Sequence, residues 1–350
     1  MIDDQDALLG AARSGDPAAF EALVARHRRG LLAHCYRMLG SVHDAEDALQ
    51  ETLVAAWRGL AGFEGRSSLR AWLYRIATNA CLRLASRRPR RILSPDHGPS
   101  RTDTSDLGEP VSEPIWLEPW PDADDTSGPI PVAAEDDPAN RFIRRETLEL
   151  AFIAALQYLP AIQRAVLLLR EVLQFSAAEV AEILETTPAA VNSALQRARR
   201  AVDERVPDRT QAEELDRLGA EGRRALVDAF VAAWESADVG ALTALLAEDV
   251  RFSMPPLPAW FDGRVNVVRF FAERVFAMPW RLRPIVVNGQ IGFACYALEP
   301  GASEFGLGAV NALSIRSGRI AAIDAFLDPA VRNRFEPGAM NPGERASLNS

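Results

Sequence analysis

Asp44-Ala45-Glu46-Asp47-Ala48-Leu49-Gln50-Glu51-Thr52-Leu53-Val54-Ala55-Ala56-Trp57, with the stretch from Phe63 to Arg91 behind it, decides how the rest of the chain is read. Ala45, Ala48, Leu49, Thr52, Leu53, Ala56 and Trp57 fall at helical spacing and predict one buried stripe. The opposite face carries Asp44, Asp47 and Glu51, with no basic residue in reach before Arg58. Like charges so placed cost a helix roughly 0.2–0.5 kcal/mol per pair, which predicts a partner elsewhere. The plainer alternative is that acids following Ser41 complement a helix dipole, in a pattern like a capping box. The second half has the opposite character. Ser67 or Ser68 caps a helix whose core stripe reads Leu69, Trp72, Leu73, Ile76, Ala80 and Leu84. Arg75, Asn79 and Arg83 recur one turn apart on another face, and Arg87, Arg88, Arg90 and Arg91 close the segment.

The 350 residues exceed what one compact core holds and predict several domains. No apolar run approaches the ~18 residues of a membrane span. The acidic start, Met1-Ile2-Asp3-Asp4, is unlike a signal peptide. Cys35, Cys81 and Cys295 have neither metal-ligand nor redox spacing, which predicts ordinary reduced thiols in a cytoplasm. His27, His34 and His43 lack carboxylate neighbours at ligand spacing, so no metal, cofactor or catalytic residue is expected. The net charge of −9 hides a division, because residues 1–93 hold fourteen arginines against ten acids. Residues 94–140 hold twelve acids against Arg101, with nine prolines and little periodicity, and read as a linker. Inside it lies an apolar island, Trp116-Leu117-Glu118-Pro119-Trp120. Two tryptophans there have no core of their own, so Trp116, Leu117, Pro119 and Trp120 are expected to dock on a neighbouring domain.

Residues 141–208 read as a compact helical unit. Ser176 and Glu179 make a capping box for a short helix, and Thr187-Pro188 opens a second that buries Val191, Leu195, Ala198 and Val202. Two such helices read as helix-turn-helix, with Asn192, Ser193, Gln196 and Arg200 outward and Arg197 beside them. Asn and Gln suit adenine edges, and Arg suits guanine or phosphate. Residues 222–335 begin with a helix and continue as strands at Val250–Met254, Ile285–Val287, Ile291–Leu298, Ala309–Ile315 and Ile320–Phe326, which predicts an α+β cone. All four histidines precede residue 100, leaving Asp262 and Asp324 as the cone's acid/base candidates; both read as exposed turn acids. Residues 336–350 read as a flexible tail.

Asp44 to Leu53 resembles the helix with which region 2 of a bacterial sigma factor grips the clamp of RNA polymerase. Phe63-Glu64-Gly65-Arg66-Ser67-Ser68-Leu69-Arg70-Ala71-Trp72 and its continuation to Asn79 resemble the segment that opens the minus-ten element. The helix-turn-helix resembles region 4, which reads the minus-thirty-five element. Glu248 to Arg264 is similar to polyketide-cyclase-like (SnoaL-like) domains. The resemblance, to extracytoplasmic-function sigma factors with a SnoaL-like extension, implies a multidomain chain: region 2 (1–93), linker (94–140), region 4 (141–208) and cone (222–335). It implies core polymerase at Asp44, Asp47, Gln50, Glu51 and Leu53. It implies promoter DNA at Arg66, Ser67, Arg70, Trp72, Arg75, Asn79, Arg83 and Arg87, and at Thr187, Asn192, Ser193, Gln196, Arg197 and Arg200. Arg83 departs from the acid that many relatives carry there. The cone is expected to regulate from within the chain, with a small molecule as one ligand it can hold and no separate anti-sigma protein required. An enzyme housed in the cone, or a plain helix-turn-helix regulator, are the alternatives; the latter leaves Asp44–Arg91 unexplained.

Overall fold

A computed structural model describes residues 2–65, 67–122 and 148–336. They form two compact bodies, one of residues 2–91 with 148–206 and one of 92–122 with 207–336. Arg66, the rest of the expected linker, residues 141–147 and the expected tail after Glu336 lie outside the described residues.

The first body is all helical. α1 (Ile2–Arg13) leads to α2 (Pro17–Leu39), whose first amides are capped by Asp16, accepting from Ala18 at 2.9 Å and Ala19 at 3.3 Å. Gly40 ends α2 at φ 68°, a left-handed terminus that glycine adopts without penalty. Ser41 then caps α3 (Val42–Gly59), and Ser68, rather than Ser67, caps α4 (Leu69–Ala85) through the Ala71 amide at 3.1 Å. The face of α4 that enters the core is turned from the expected one. Leu69, Leu73, Tyr74, Ala77, Thr78, Ala80 and Cys81 are buried, while Trp72, Ile76 and Leu84 are half-buried. Trp72 instead lies against Phe63, ring centroids 5.0 Å apart.

After α5 (Ser94–His97), which belongs to the second body, the helical body resumes with α6 (Leu150–Gln157) and α7 (Ala161–Leu167), the latter running into a π turn, Leu168–Val172. α8 (Ala177–Ile183) and α9 (Pro188–Asp203) follow. The two halves of this body pack together. Tyr74 meets Phe175 edge-on at 5.7 Å, and Arg164, 6% exposed, donates to the carbonyl of Met38 and to Gln157 Oε1 at 2.7 Å.

The second body is α+β. α10 (Gln211–Glu235) starts eleven residues before Gly222, because Gln211 is buried and exchanges hydrogen bonds with the backbone of Ile315. α11 (Val239–Leu245), β1 (Leu246–Ser253), β2 (Trp260–Asp262) and α12 (Arg264–Glu273) precede β3 (Trp280–Val287), β4 (Gln290–Ala297), β5 (Gly306–Arg316), β6 (Arg319–Phe326) and α13 (Pro329–Arg332). The sheet order is β2-β1-β6-β5-β4-β3, with β1 parallel to β6 and the other pairs antiparallel. Two-residue hairpins, Asn288-Gly289 and Ser317-Gly318, have positive φ at both positions, matching the twist of the strands they join. Phe230, Trp234, Phe252, Phe261, Phe270, Phe271 and Phe293 fill the space between the sheet and its helices. Each such side chain contributes about 1.5–3 kcal/mol on full burial, so these aromatics dominate the body's stability. No helix among the described residues is long and apolar enough to cross a membrane.

His34 is buried beside Thr78, Nε2 3.0 Å from Oγ1. Burial, helped by Arg37, pushes its pKa from 6.5 down to about 3. The folded state therefore resists a proton that the unfolded chain accepts. Its contribution is complete above pH 6.5 and falls by about 1.4 kcal/mol per unit as pH drops below that value towards about 3. The thermal midpoint of the helical body is expected to fall between pH 7 and 5, with a shallower slope in His34→Gln; calorimetry at stepped pH measures both.

Candidate nucleic-acid interface

The acids of α3 do not form one solvated face. Asp44 is 1% exposed and ion-paired to both Arg88 and Arg91, residues that helical spacing does not reveal as neighbours. It is therefore a structural group, and its expected place at a docking surface is corrected. Asp47 stands outward with His43 and Arg88 each at 3.9 Å, and Glu51 meets Arg83 at 3.2 Å. Such exposed pairs contribute about 0–1 kcal/mol and yield readily to another partner. Gln50 is exposed and Leu53 half-buried. Two residues assigned elsewhere or passed over join the outward face. Val54 is 44% exposed and Trp57 38%, the latter edge-on to Phe20 at 5.1 Å. Val54 lies three residues after Glu51 and four after Gln50, a spacing that the sequence already contained.

Along α4, Arg70 donates to the carbonyl of Leu173 at 2.6 Å and its guanidinium lies 4.2 Å from the Phe175 ring centre. Arg75 pairs with Glu185 at 2.6 Å. Both residues thus engage the second half of the helical body. Ser67, Trp72 and Asn79 are half-buried, and Arg83 and Arg87 exposed.

α8 carries both arms of a capping box, Glu179 N to Ser176 Oγ at 3.2 Å and Ser176 N to Glu179 Oε2 at 2.7 Å. The turn that follows places Glu185 at φ 53°, a left-handed conformation that costs a non-glycine residue about 1–3 kcal/mol. Thr187 Oγ1 caps the Ala190 amide at 3.2 Å, so its side chain serves the helix. Val191, Ala194, Leu195, Ala198 and Val202 are buried, and Asn192, Ser193, Gln196, Arg197 and Arg200 project outward. Arg200 is 86% exposed, with Glu204 3.7 Å from Nε, while Arg199 is held by Glu171 at 2.5 Å. The outward row presents amides and guanidinium groups at helical spacing, the donor and acceptor types that meet base edges and phosphates.

In the second body, residues 92–122 are strapped to the loops of the sheet. Ile92 donates to the carbonyl of Ile115 at 2.8 Å and Leu117 to that of Ile92 at 2.9 Å. Val111 donates to the carbonyl of Pro256 at 3.0 Å, and Trp260 Nε1 to that of Gly98 at 2.8 Å. The Trp120 amide donates to Asn288 Oδ1 at 2.7 Å, and the Asn288 amide donates back to the Trp120 carbonyl at 3.0 Å. Trp116, Leu117, Pro119 and Trp120 are all buried. This segment read as a free linker because its acids and prolines carry no periodicity; the groups that tie it to the sheet, at Pro256, Trp260 and Asn288, lie far along the chain.

Asp262 is exposed, but Asp324 is not the turn acid it was read as. It lies on β6, 7% exposed, and Ser253 Oγ of β1 donates to its Oδ1 at 2.6 Å. Burial raises its pKa, opposed by that hydrogen bond and by Arg251. No cluster of metal-ligating side chains is present among the described residues.

Sequence-family models described as Sigma-70 region 2, Sigma-70 region 4 and SnoaL-like domain match residues 23–91, 149–202 and 227–323. The chain is 40% identical over 328 residues to the ECF RNA polymerase sigma factor SigG of Mycobacterium tuberculosis, covering 92% of this chain and 84% of that one. It is 28% identical over 204 residues to the RNA polymerase sigma-H factor of Pseudomonas aeruginosa, covering 58% of this chain and 94% of that one. Among solved structures, the extracytoplasmic function sigma factor SigJ of Mycobacterium tuberculosis aligns with a TM-score of 0.57 at 22% identity, over 91% of this chain and 98% of that one.

Above its raised pKa, Asp324 places an ionised carboxylate in a buried site. That penalty is absent at low pH and develops as pH rises through the ordinary carboxylate range of about 4. Asp324→Asn keeps an acceptor for Ser253 and removes the charge. Its melting temperature is expected to exceed that of the parent chain at pH 7, by about 2–4 °C for each kcal/mol recovered, with the gap closing near pH 4. Calorimetry of the two chains at both pH values is the measurement.

Proposed function

The chain belongs to the extracytoplasmic-function RNA polymerase sigma factors, and on that premise we propose how its surfaces divide the work of promoter recognition. As a sigma factor it binds core RNA polymerase and directs transcription initiation. The outward face of α3, with Asp47, Gln50, Glu51, Val54 and Trp57, is the part that meets core polymerase. Its weak surface pairs and exposed apolar groups support that reading. The row Asn192, Ser193, Gln196, Arg197 and Arg200 on α9 contacts the upstream promoter element. Arg75, Asn79, Arg83 and Arg87 serve the downstream one, with Arg70 as a further contact once it leaves Leu173. Arg70 and Arg75 are engaged with the second helical half in this arrangement, so DNA binding at α4 requires the halves to separate.

The C-terminal sheet is read as a regulator, and the strap carries that reading. Residues 92–122 belong in sequence to the stretch between the two helical halves and yet fold with the sheet, which supports a coupling of the two. This supports regulation within one chain, without a separate anti-sigma protein. The domain is read as non-catalytic: residues 222–335 hold no histidine, and the interior is packed with aromatic rings. Asp324 with Ser253 is the feature that favours the second reading, acid/base chemistry in the sheet domain, and turnover lost in Asp324→Asn would establish it.

Transcription reconstituted with core polymerase tests the regulator. Truncation after Phe335 is expected to raise output, and truncation after Asp208 to lower it, because the latter uncovers Leu117, Trp116 and Trp120. Trp116→Ala with Trp120→Ala is expected to move output in the full-length chain; identical output from the parent chain and all three variants removes the regulatory role. On α9, Arg200→Ala is expected to weaken binding to all promoters alike and lower the salt slope by about one. Gln196→Ala is expected to relax preference at a single base pair, by about 1–3 kcal/mol, read from a promoter-variant binding series.

A further inference from the structure

In the helical body, between the ends of α2 and α4 and the α6–α7 corner, lies a partly open pocket of about 200 Å³. Arg88, Arg90, Arg91 and Arg164 line it against a single acid, Asp44. Asp44 already answers Arg88 and Arg91. Arg90 lies 4.0 Å over the Tyr158 ring and forms no ion pair among the described residues. Arg164 is 6% exposed, yet every partner of its guanidinium is a neutral oxygen: the carbonyls of Met38, Gln157 and Leu159, and Oε1 of Gln157. Its Nε is buried without a partner. Burial lowers its pKa to about 10, with Cys81 opposing the shift. A buried cation in that condition costs free energy that an anion beside it offsets.

The volume equals that of several waters, each about 30 Å³ in the liquid, and accepts a small oxyanion. Guanidinium forks match phosphate oxygens two at a time, which favours phosphate over a halide. We propose that this pocket is a binding site for a compact, multiply charged phosphate: free diphosphate, or the diphosphate end of a nucleotide. Arg88 and Arg90 come from the run after α4, and Arg164 comes from α7. Arg164 uses its terminal N–H groups on those neutral oxygens and has its Nε and its charge left for the anion. The anion therefore joins the two halves of the helical body, and its binding favours the packed arrangement in which Glu185 holds Arg75.

Titration calorimetry of the full chain with sodium diphosphate, with GDP and sodium sulfate at matched ionic strength beside it, tests the site. Saturable one-to-one binding of diphosphate is expected, with sulfate weaker. Tighter binding of GDP assigns the site to a nucleotide, and equal binding assigns it to the diphosphate group alone. Arg90→Ser is expected to weaken binding at least about tenfold, the worth of one charge-assisted hydrogen bond, while Arg13→Ser on α1 leaves it unchanged. With diphosphate present, amide exchange at Phe175 and Thr186 is expected to slow in the parent chain and not in Arg90→Ser. Absence of saturable binding, or equal weakening by the two substitutions, overturns the site. Binding without slowed exchange overturns the bridging.

Discussion

The ion triad of Asp44 with Arg88 and Arg91 is the constraint on which the helical body depends. A carboxylate at 1% exposure is tolerable only with its charge matched, and removing one partner of such a group costs about 3–5 kcal/mol. The triad fixes the start of α3 to the chain beyond α4. It thereby sets the direction in which the polypeptide leaves this module at Arg91. Asp47 and Glu51, relieved of structural duty, remain on the surface with loosely held partners. One buried acid anchors the fold, while Asp47 and Glu51 on the same helix stand outward in weak surface pairs.

The packing of the two helical halves follows a similar division. Arg164 and Gln157 bind backbone carbonyls across the seam, at Met38 and Arg37. Arg75 and Glu185 meet at the exposed rim, 46% and 72% exposed, where water competes for both. The seam is therefore firm at its centre and yielding at the edge nearest the α8–α9 turn. The left-handed Glu185 adds backbone strain at that edge.

Much of this was legible in the chain because helices advertise their buried faces. Val191, Leu195, Ala198 and Val202 are inside as their spacing requires, and Ser176 with Glu179 and Thr187 with Pro188 mark two helix starts by local chemistry alone. What escaped was long-range. Asp44 looked like one of three solvated acids because its partners lie 44 and 47 residues downstream. The core stripe of α4 was misplaced because Trp72 finds a ring, Phe63, outside the helix. Asp324 sits on a strand buried on both faces, where period-two alternation disappears and a lone acid gives no sign of its depth. The strap is ordered by carbonyls and an asparagine side chain far along the chain, and composition is blind to those.

The reciprocal bonding of Trp120 with Asn288 has a consequence for the history of such a chain. Part of the segment joining the two helical modules folds with the C-terminal domain, and its two tryptophans are buried. A lineage that lost the sheet would inherit a connector with two bare indoles and no surface to cover them. One that acquired the sheet late needed a connector already able to fit it. Strap and sheet are therefore a single heritable unit interrupted by a DNA-binding module, and exchange of either with a relative is expected to succeed only when both travel together.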